Sequence, residues 1–289
     1  MKDPVMHRRR HAQLVGLLYV AQLISINAAK PVCLLLLGSS RHRQLYAHLQ
    51  LRKRICLGHT CTSMPWSGCG PLSGNPAPDM YGNFPVQASA LCKADPNMTA
   101  LSYFSHYGVA NDTYHIFKRP EGHLQGWASH VHLRWDGPGW DVKDMYPHSP
   151  KLIWEAARRF TAAYNDSTCR RRIVFCSFLW DVARYQNHLQ GTDLEAWGTQ
   201  YARNLSVVLA PLTALPLDRL FLEVPFLTGD EEVVNIIRGS HMFDHMRHVA
   251  SALSVPILDT TGLGFRAAHP NAEQSAAWWR HVRDAVLGE

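Results

Sequence analysis

The sequence predicts an α/β fold: a three-layer sandwich in which a mainly parallel β-sheet lies between two layers of helices. The first observation is an unbroken apolar run at residues 31–38, which is typical of a parallel strand buried on both faces. The second is a regular alternation of helical and strand patterns from residue 149 onward, which predicts a mainly parallel sheet. Right-handed crossovers in such a sheet place helices on both of its faces. With 289 residues, of which 46% are hydrophobic, the chain is long enough to bury a sizeable core.

The first strand is expected to turn directly into a helix. Gly38-Ser39-Ser40 ends the apolar run, and residues 40–54 carry apolar side chains at helical spacing. Ser39 or Ser40 can cap this helix, because a serine hydroxyl accepts a hydrogen bond from a backbone N–H of the first turn. A serine at this corner is therefore either a cap or an exposed hydroxyl.

The region after the first helix, residues 56–148, is predicted to be an irregular insertion. Up to residue 100 it is rich in Gly, Pro, Ser and Cys. Two strand-like runs follow at 112–119 and 128–136, and the second alternates polar and apolar residues as a half-exposed strand does.

Beyond residue 148 each element is predicted from its own pattern. Ser149 as N-cap and Pro150 at the first helical position begin one helix, and His269 and Pro270 begin the last helix in the same way. The pattern predicts helices over 149–165, 192–212 and 269–287, strands over 172–180, 218–226 and 255–261, and one or two helices over 230–253.

The first 29 residues are predicted to be a secretory signal peptide or a signal anchor. Arg8, Arg9 and Arg10 precede a mostly apolar stretch, residues 13–28, which ends in small residues. An amphipathic or buried helix is the alternative. Four basic residues against one acidic residue give this segment +3 of the formal net charge of +6. Residues 30–289 then form a single, mildly basic domain without the Lys/Arg block that indicates nucleic-acid binding. The membrane is expected as a partner only through the possible anchor.

Sequons and cysteines favour the secretory pathway, either the Golgi or ER lumen or the cell exterior. Four Asn-x-Ser/Thr sequons begin at Asn97, Asn111, Asn165 and Asn204. Cys33 lies in the apolar strand and is expected to be a buried free thiol. The other six cysteines suit up to three disulfides in an oxidising compartment, namely Cys56, Cys61, Cys69, Cys92, Cys169 and Cys176. A zinc site at the first three of these is the rival interpretation.

Three polar segments are expected to meet at one edge of the sheet, because sites in such sheets form beyond the carboxyl ends of the strands. These segments carry Ser40, Trp180-Asp181, and the stretch from Asp259 to His269. Ser40 is the candidate nucleophile, with backbone N–H groups at the helix start to stabilise an oxyanion. His269 is the candidate general base. Structural roles, as a cap or a surface histidine, are the alternatives for both residues.

This order of motifs resembles the SGNH/GDSL hydrolase superfamily, whose fold is flavodoxin-like, and within it the PC-esterase branch. Gly38-Ser39-Ser40-Arg41-His42-Arg43 is similar to that branch's Gly-Asp-Ser-x-x-Arg block, "FLWDVARY" to its Trp-Asp segment, and "LDTTGLGFRAAHPNAEQSAAWW" to its closing block. The resemblance covers roughly residues 31–54 and 150–287.

The resemblance implies roles for individual residues. Ser40 takes the nucleophile's place and His269 that of the catalytic histidine. Gly38, Ser39, Arg43 and Trp180 would lie at the substrate or the oxyanion, the tryptophan through its indole N–H. No cofactor or metal is implied, because Ser-His chemistry needs none.

Two departures from the family pattern leave two interpretations open. Ser39 stands where the family has Asp, and Arg266 stands where the family has the Asp that orients the histidine. In the first interpretation the protein hydrolyses or transfers O-acyl groups, such as acetyl, on a glycan or a small ester, with Asp259 or Asp181 as the orienting acid. In the second it keeps the fold and binds a glycan or a protein without turnover.

Overall fold

The computed structural model describes residues 30–49, 56–60, 87–92, 96–106, 108–110, 149–165, 168–188, 191–226, 231–264 and 270–288. The predicted strands at 112–119 and 128–136 and the predicted signal segment lie outside these ranges. Residues Pro31–Gly288 group into one compact unit. Within the described ranges, no helix combines the length and the apolarity that a membrane span requires.

Within the described ranges, seven strands form one sheet in the order β2-β3-β4-β1-β5-β6-β7. The strands are β1 Val32–Gly38, β2 Cys56–Thr60, β3 Gln87–Cys92, β4 Met98–Ser105, β5 Arg170–Phe175, β6 Arg219–Val224 and β7 Ile257–Asp259. The described helices are α1 Ser40–Ala47, α2 Ser149–Ala163, α3 Leu179–His188, α4 Leu194–Thr213, α5 Glu231–Gly239, α6 Met242–Ala252 and α7 Ala272–Leu287.

Five of the strands are parallel, which confirms the predicted fold class. β1 pairs in parallel with both β4 and β5, β5 pairs with β6, and β6 pairs with β7. Numbered along the chain, the parallel strands lie in the order 2-1-3-4-5, which is the flavodoxin-like order. The strand order therefore reverses between β1 and β5. In such sheets the ligand site lies outside the carboxyl ends of the strands at this switch point.

Helices cover both faces of the sheet, because the central strands are apolar on both faces. Leu34 and Leu36 of β1 face one layer, formed by α1 and α7, whose buried side chains include Trp278. Leu35 and Leu37 face the opposite layer, which contains α2 and α4. Alternate residues of one strand therefore enter two separate cores, as the continuous apolar run predicts.

The region after the first helix is more regular than expected. Residues 56–60, 87–92 and 98–105 supply three strands of the sheet, and the last of these is a direct neighbour of β1. β2 and β3 are antiparallel additions at the edge. Their sequences, CLGHT and QASALC, are short and rich in small residues, so that no apolar alternation marks them as strands.

Two predicted boundaries are wrong. The strand predicted at 172–180 ends at Phe175, and Leu179 already begins α3. The apolar run continues across this boundary, so periodicity alone does not separate strand from helix. The last helix begins at Ala272 rather than at Pro270. Its N-cap is Asn271, which forms a capping box with Gln274, so that His269 does not cap it.

The cysteine prediction is corrected at two positions. Cys33 is not a free thiol but forms a disulfide with Cys169. Cys176, which was counted among the disulfide candidates, is instead a buried free thiol. The sequence places Cys33 within a strand but does not show that Cys169 directly precedes the neighbouring strand β5. The disulfide is consistent with an oxidising compartment.

Candidate functional site at the switch point

The ends of three strands meet at the switch point. The backbone N–H of Cys176, just after β5, donates to the carbonyl of Leu37 in β1 at 2.9 Å. The N–H of His106, just after β4, donates to the carbonyl of Gly38 at 3.0 Å. The corner that leads from β1 into α1 therefore lies between the ends of its two parallel neighbours, where the fold predicts a ligand site.

Ser39, rather than Ser40, caps the first helix. Its hydroxyl accepts a hydrogen bond from the backbone N–H of Arg41 at 3.4 Å, and its carbonyl accepts one from the Tyr103 hydroxyl at 3.2 Å. Ser39 is buried, and Ser40 is the first residue of α1. The capping function that the sequence assigned to either serine thus belongs to Ser39, and Ser40 holds the first helical position.

A buried His-Glu pair lies directly beneath this corner. Nε2 of His42, in the first turn of α1, lies 2.8 Å from Oε2 of Glu223 in β6. Relative exposure is only 1% for His42 and 3% for Glu223. Nδ1 of His42 has no hydrogen-bond partner among the described residues. The imidazole lies so close to Gly38 that a Cβ at that position would overlap Nδ1.

Glu223 accepts two further hydrogen bonds on its other carboxylate oxygen. The Trp278 indole N–H, from α7, donates at 2.7 Å, and the Thr260 hydroxyl, just after β7, donates at 3.0 Å. Burial acts to raise the pKa of Glu223. The charge and hydrogen bond of His42, the Trp278 hydrogen bond and the charge of Arg41 outweigh it, so the pKa lies below its ordinary value. Glu223 is therefore a buried carboxylate that stays ionised at neutral pH.

Arg41 places a second buried cation near this carboxylate. Its guanidinium carbon lies 3.5 Å from the ring centroid of Phe226 and 4.8 Å from that of Phe178, and its NH groups donate to the Phe226 carbonyl at 3.3 Å. Burial lowers the pKa of Arg41 to about 10, against the opposing effects of Cys176 and Glu223. Arg41 thus remains charged at neutral pH and partly balances Glu223.

His106 and Cys176 complete the polar groups at this edge. His106 stacks on Phe175 with a centroid distance of 5.0 Å, and burial, followed by the charge of His42, lowers its pKa to about 4. Burial, followed by the charge of Glu223, raises the pKa of the Cys176 thiol well above its ordinary value. Both groups are therefore neutral at pH 7, which makes them weak candidates for acid-base or thiolate chemistry.

Asp181, a candidate orienting acid, is buried and holds a neighbouring loop. Its carboxylate accepts hydrogen bonds from the Val109 N–H at 3.0 Å and from the Ser177 hydroxyl. It also lies against Gly108, where a Cβ would come within 2.6 Å of Oδ1. Gly108 has a φ of +97°. The described contacts thus assign Asp181 to the loop that follows β4.

Asp259, the other candidate acid, lies at the end of β7 and is exposed. Arg247 donates to its Oδ2 at 2.9 Å, and the backbone N–H and hydroxyl of Thr261 both donate to Oδ1. Burial acts to raise the pKa of Asp259, but these hydrogen bonds and the charge of Arg247 together lower it. The carboxylate is ionised, and its described partners belong to α6 and to the turn after β7.

Four predicted site residues lie wholly or partly outside the described part of the chain. His269 lies outside the described residues, as does Arg266, and so do the side chains of Ser40, Arg43 and Trp180. The backbone of Trp180 lies in the first turn of α3, five residues beyond the end of β5, rather than at the strand end as predicted. The structure therefore places the backbone of Gly38, Ser39 and Ser40 at the corner. The positions of the candidate base, His269, and of the Trp180 indole stay predictions.

Sequence analysis missed the buried groups beneath the corner. Glu223 carried a usable signal, because it is a carboxylate inside the apolar strand RLFLEV, where a charge is costly unless it is paired. Its partner His42 carried little signal among 17 histidines. Gly108 and His106 follow β4, a strand that the sequence did not predict.

One described group of side chains could hold a metal ion. A nitrogen of His42, the sulfur of Cys176 and a carboxylate oxygen of Glu223 lie within 4.8 Å of one another. One Glu223 oxygen already accepts two hydrogen bonds, the other contacts His42, and the Arg41 cation is nearby, so a metal would have to displace the His42 contact. His241, His245 and His248 form no such group within the described part of the chain.

No family model matches the sequence, and no curated protein matches it. Among solved structures, a variant of Axe2, an acetyl-xylooligosaccharide esterase from Geobacillus, is 13% identical, with a TM-score of 0.45 over 91% of this chain and 96% of that chain. The structure of LAE5, an alpha/beta hydrolase from the metagenome of Lake Arreo, is 12% identical, with a TM-score of 0.36 over 90% and 96%. At these values the similarity does not define an activity, and the fold assignment rests on this chain's own strand order.

Proposed function

We propose that the protein is a serine-dependent acyl-ester hydrolase with Ser40 as its nucleophile. The observation that carries the proposal is the corner at the switch point. Ser39 caps α1, and Ser40 occupies the first helical position beyond the carboxyl end of β1. A helix start at this position offers backbone N–H groups and a positive dipole end to a developing oxyanion. The resemblance of residues 38–43 to a nucleophile block supports the same assignment.

The chemistry is a two-step acyl transfer. The Ser40 hydroxyl oxygen attacks the ester carbonyl carbon, and its proton passes to His269. The carbonyl re-forms as the alcohol leaves, taking that proton from the imidazole. Water, or another hydroxyl, then attacks the acyl-serine in the same way and regenerates Ser40. The step needs no redox partner, and we expect no cofactor.

The substrate class we propose is an O-acylated glycan or a similar ester in the secretory pathway. The Cys33–Cys169 disulfide supports an oxidising compartment. Two of the four sequons begin at exposed asparagines, Asn97 and Asn165, where a glycan could be attached. If expression in a secretory host gives a protein whose electrophoretic mobility does not change on deglycosylation, this location is wrong.

The experiment is active-site labelling with a fluorophosphonate probe. We expect the wild-type protein to be labelled and the Ser40→Ala variant to lose the label while retaining its fold. Ser251→Ala is the matched control, because it makes the same change at an exposed serine of α6 and leaves the proposed nucleophile in place. We expect it to keep both the labelling and the stability of the wild type. A folded wild-type protein that takes no label would contradict the proposal.

Binding without turnover is the second candidate function. The observation that favours it is the engagement of both candidate acids. Asp181 accepts from Val109 and Ser177, and Asp259 accepts from Arg247 and Thr261. A serine-histidine pair without an orienting acid can lose about 10⁴-fold in rate. Absence of labelling together with retained binding of an acylated oligosaccharide would favour this alternative.

A further inference from the structure

One buried carboxylate contacts three separate segments at the edge of the sheet. Glu223 makes an ion-pair contact with His42 in α1 and accepts hydrogen bonds from Thr260, just after β7, and from Trp278 in α7. His42 lies two residues beyond Ser40, and Thr260 directly follows Asp259. Trp278 belongs to the helix whose sequence follows His269. Glu223 thus contacts the helix that begins at Ser40 and the residue that directly follows Asp259, two of the catalytic candidates.

We infer that Glu223 is a positioning residue, which holds the first turn of α1 at the switch point through the imidazole of His42. This inference rests on the proposed function of Ser40. Glu223 and His42 are too deeply buried to touch a substrate, so they act through the backbone of α1 rather than on the reacting atoms.

Steric contact makes this arrangement specific. The His42 imidazole contacts the Glu223 carboxylate through Nε2, and its Nδ1 occupies the space that a Cβ on Gly38 would fill. Movement of α1 away from β6 would break the contact with Glu223, and movement of the ring in the opposite direction would meet the backbone of β1. The ring therefore fixes how far the first turn of α1 stands from the end of its own strand.

The charges around the pair make the carboxylate difficult to replace. A buried carboxylate is costly unless it is paired and hydrogen-bonded, and Glu223 has two hydrogen-bond donors, the contact with His42 and the nearby Arg41 cation. A glutamine has nearly the same shape and can accept from Thr260 or Trp278, but it has no charge for His42. Glu223→Gln therefore removes the electrostatic link to α1 and leaves the side-chain volume unchanged.

The first test compares the hydrolysis of 4-nitrophenyl acetate by Glu223→Gln, His42→Gln and the double variant. We expect kcat to fall by about 100-fold in each single variant, the effect of a displacement of about 1 Å at a nucleophile, with KM nearly unchanged. We expect the double variant to fall no further, because both changes break the same contact.

Two control variants separate positioning from loss of stability. Glu155→Gln removes a partly exposed carboxylate that pairs with Arg159 on α2, far along the chain from the site. Val208→Ala creates a cavity in the core beneath α4 and lowers the melting temperature without touching the edge. Both should retain kcat at temperatures where they are folded. A Val208→Ala variant that loses kcat as Glu223→Gln does would overturn the inference.

A second measurement does not depend on activity. Hydrogen exchange followed by mass spectrometry should show faster exchange in Glu223→Gln for peptides that cover residues 40–47, and unchanged exchange over α4. If wild-type protein neither labels nor hydrolyses but this local change occurs, the proposed function fails and the positioning of α1 stands. If Glu223→Gln keeps both wild-type kcat and wild-type exchange over residues 40–47, the inference is wrong.

Discussion

The imidazole of His42 occupies the space that a side chain on Gly38, four residues earlier in the chain, would need: a Cβ there would lie 1.9 Å from Nδ1. Gly38 does not have a positive φ, so its backbone conformation does not require a glycine. A glycine is required here because any Cβ would overlap the His42 ring. The resemblance assigned Gly38 to the oxyanion. The structure gives it an additional function, which is to leave room for the ring that contacts Glu223.

Gly38→Ala should displace His42 and destabilise the protein. The methyl group would overlap Nδ1, and relief of such overpacking typically costs about 1–3 kcal/mol. Gly262→Ala is the control, because a Cβ at that position meets no atom within 4 Å. Urea denaturation of the two variants would measure the difference, and equal free energies of unfolding would contradict the predicted contact.

Gly108→Ala should cost more than Gly191→Ala. Both glycines have nearly the same positive φ, +97° and +96°, and this conformation costs a non-glycine residue about 1–3 kcal/mol. Only at Gly108 would the Cβ also meet the Asp181 carboxylate, whereas at Gly191 it meets nothing within 4 Å. The difference between the two free energies of unfolding therefore isolates the Asp181 contact. If Gly191→Ala is the more destabilised variant, the placement of Asp181 is wrong.

The stability of the protein should fall in acid through Glu223. The folded-state pKa of Glu223 lies below its ordinary value of 4.5, so its contribution is present above that pH and is lost as the pH falls through the folded-state pKa. The groups that face it are His42 and Arg41 from α1, Cys176 after β5, Thr260 after β7 and Trp278 of α7. Glu223→Gln should be less stable than wild type at pH 7 and should lose less stability as the pH falls below 4.5.

A second carboxylate, Asp259, also contributes to the loss of stability in acid and must be controlled for. Its pKa is also lowered, so it contributes acid sensitivity of the same sign. Free energies of unfolding for Asp259→Asn, measured over the same range, would separate the two carboxylates. If the stability of Glu223→Gln falls in acid as steeply as that of the wild type, other groups cause the acid sensitivity.

Reduction of the Cys33–Cys169 disulfide should destabilise the protein strongly. The two cysteines are 136 residues apart, and closing a loop of this length stabilises a fold by about 2–5 kcal/mol. A phosphine reductant should therefore lower the melting temperature of the wild type. The Cys33→Ala, Cys169→Ala double variant should melt at the lower temperature with or without reductant. A double variant that still responds to the reductant would point to a different disulfide.

The alternation of helices and strands allowed the parallel half of the sheet to be predicted. β1, β5 and β6 are apolar enough to be recognised on their own, and the helices between them have clear caps, such as Asp193 of α4. β4 was missed, although its partner β1 was predicted, because its sequence MTALSYFS shows neither alternation nor a continuous apolar run. Strand pairing, rather than local pattern, stabilises such a segment.

The candidate site could be predicted only where its residues are neighbours in the sequence. The corner at Ser39 and Ser40 was found because strand, glycine and helix are adjacent in sequence. The contact of His42 with Glu223 joins residues 181 positions apart, and no local pattern connects a histidine in one helix with a carboxylate in a distant strand. Long-range polar pairs of this kind depend on the register of the whole sheet.

The disulfide also adds a covalent link between the two strands that meet at the switch point. Cys33 lies near the amino end of β1, and Cys169 directly precedes β5, so the link joins these two strands at the end remote from Ser40. At the other end, the Cys176 N–H donates to the Leu37 carbonyl. The strand pair that carries the corner at Ser40 is therefore held at both ends, covalently at one and by a hydrogen bond at the other.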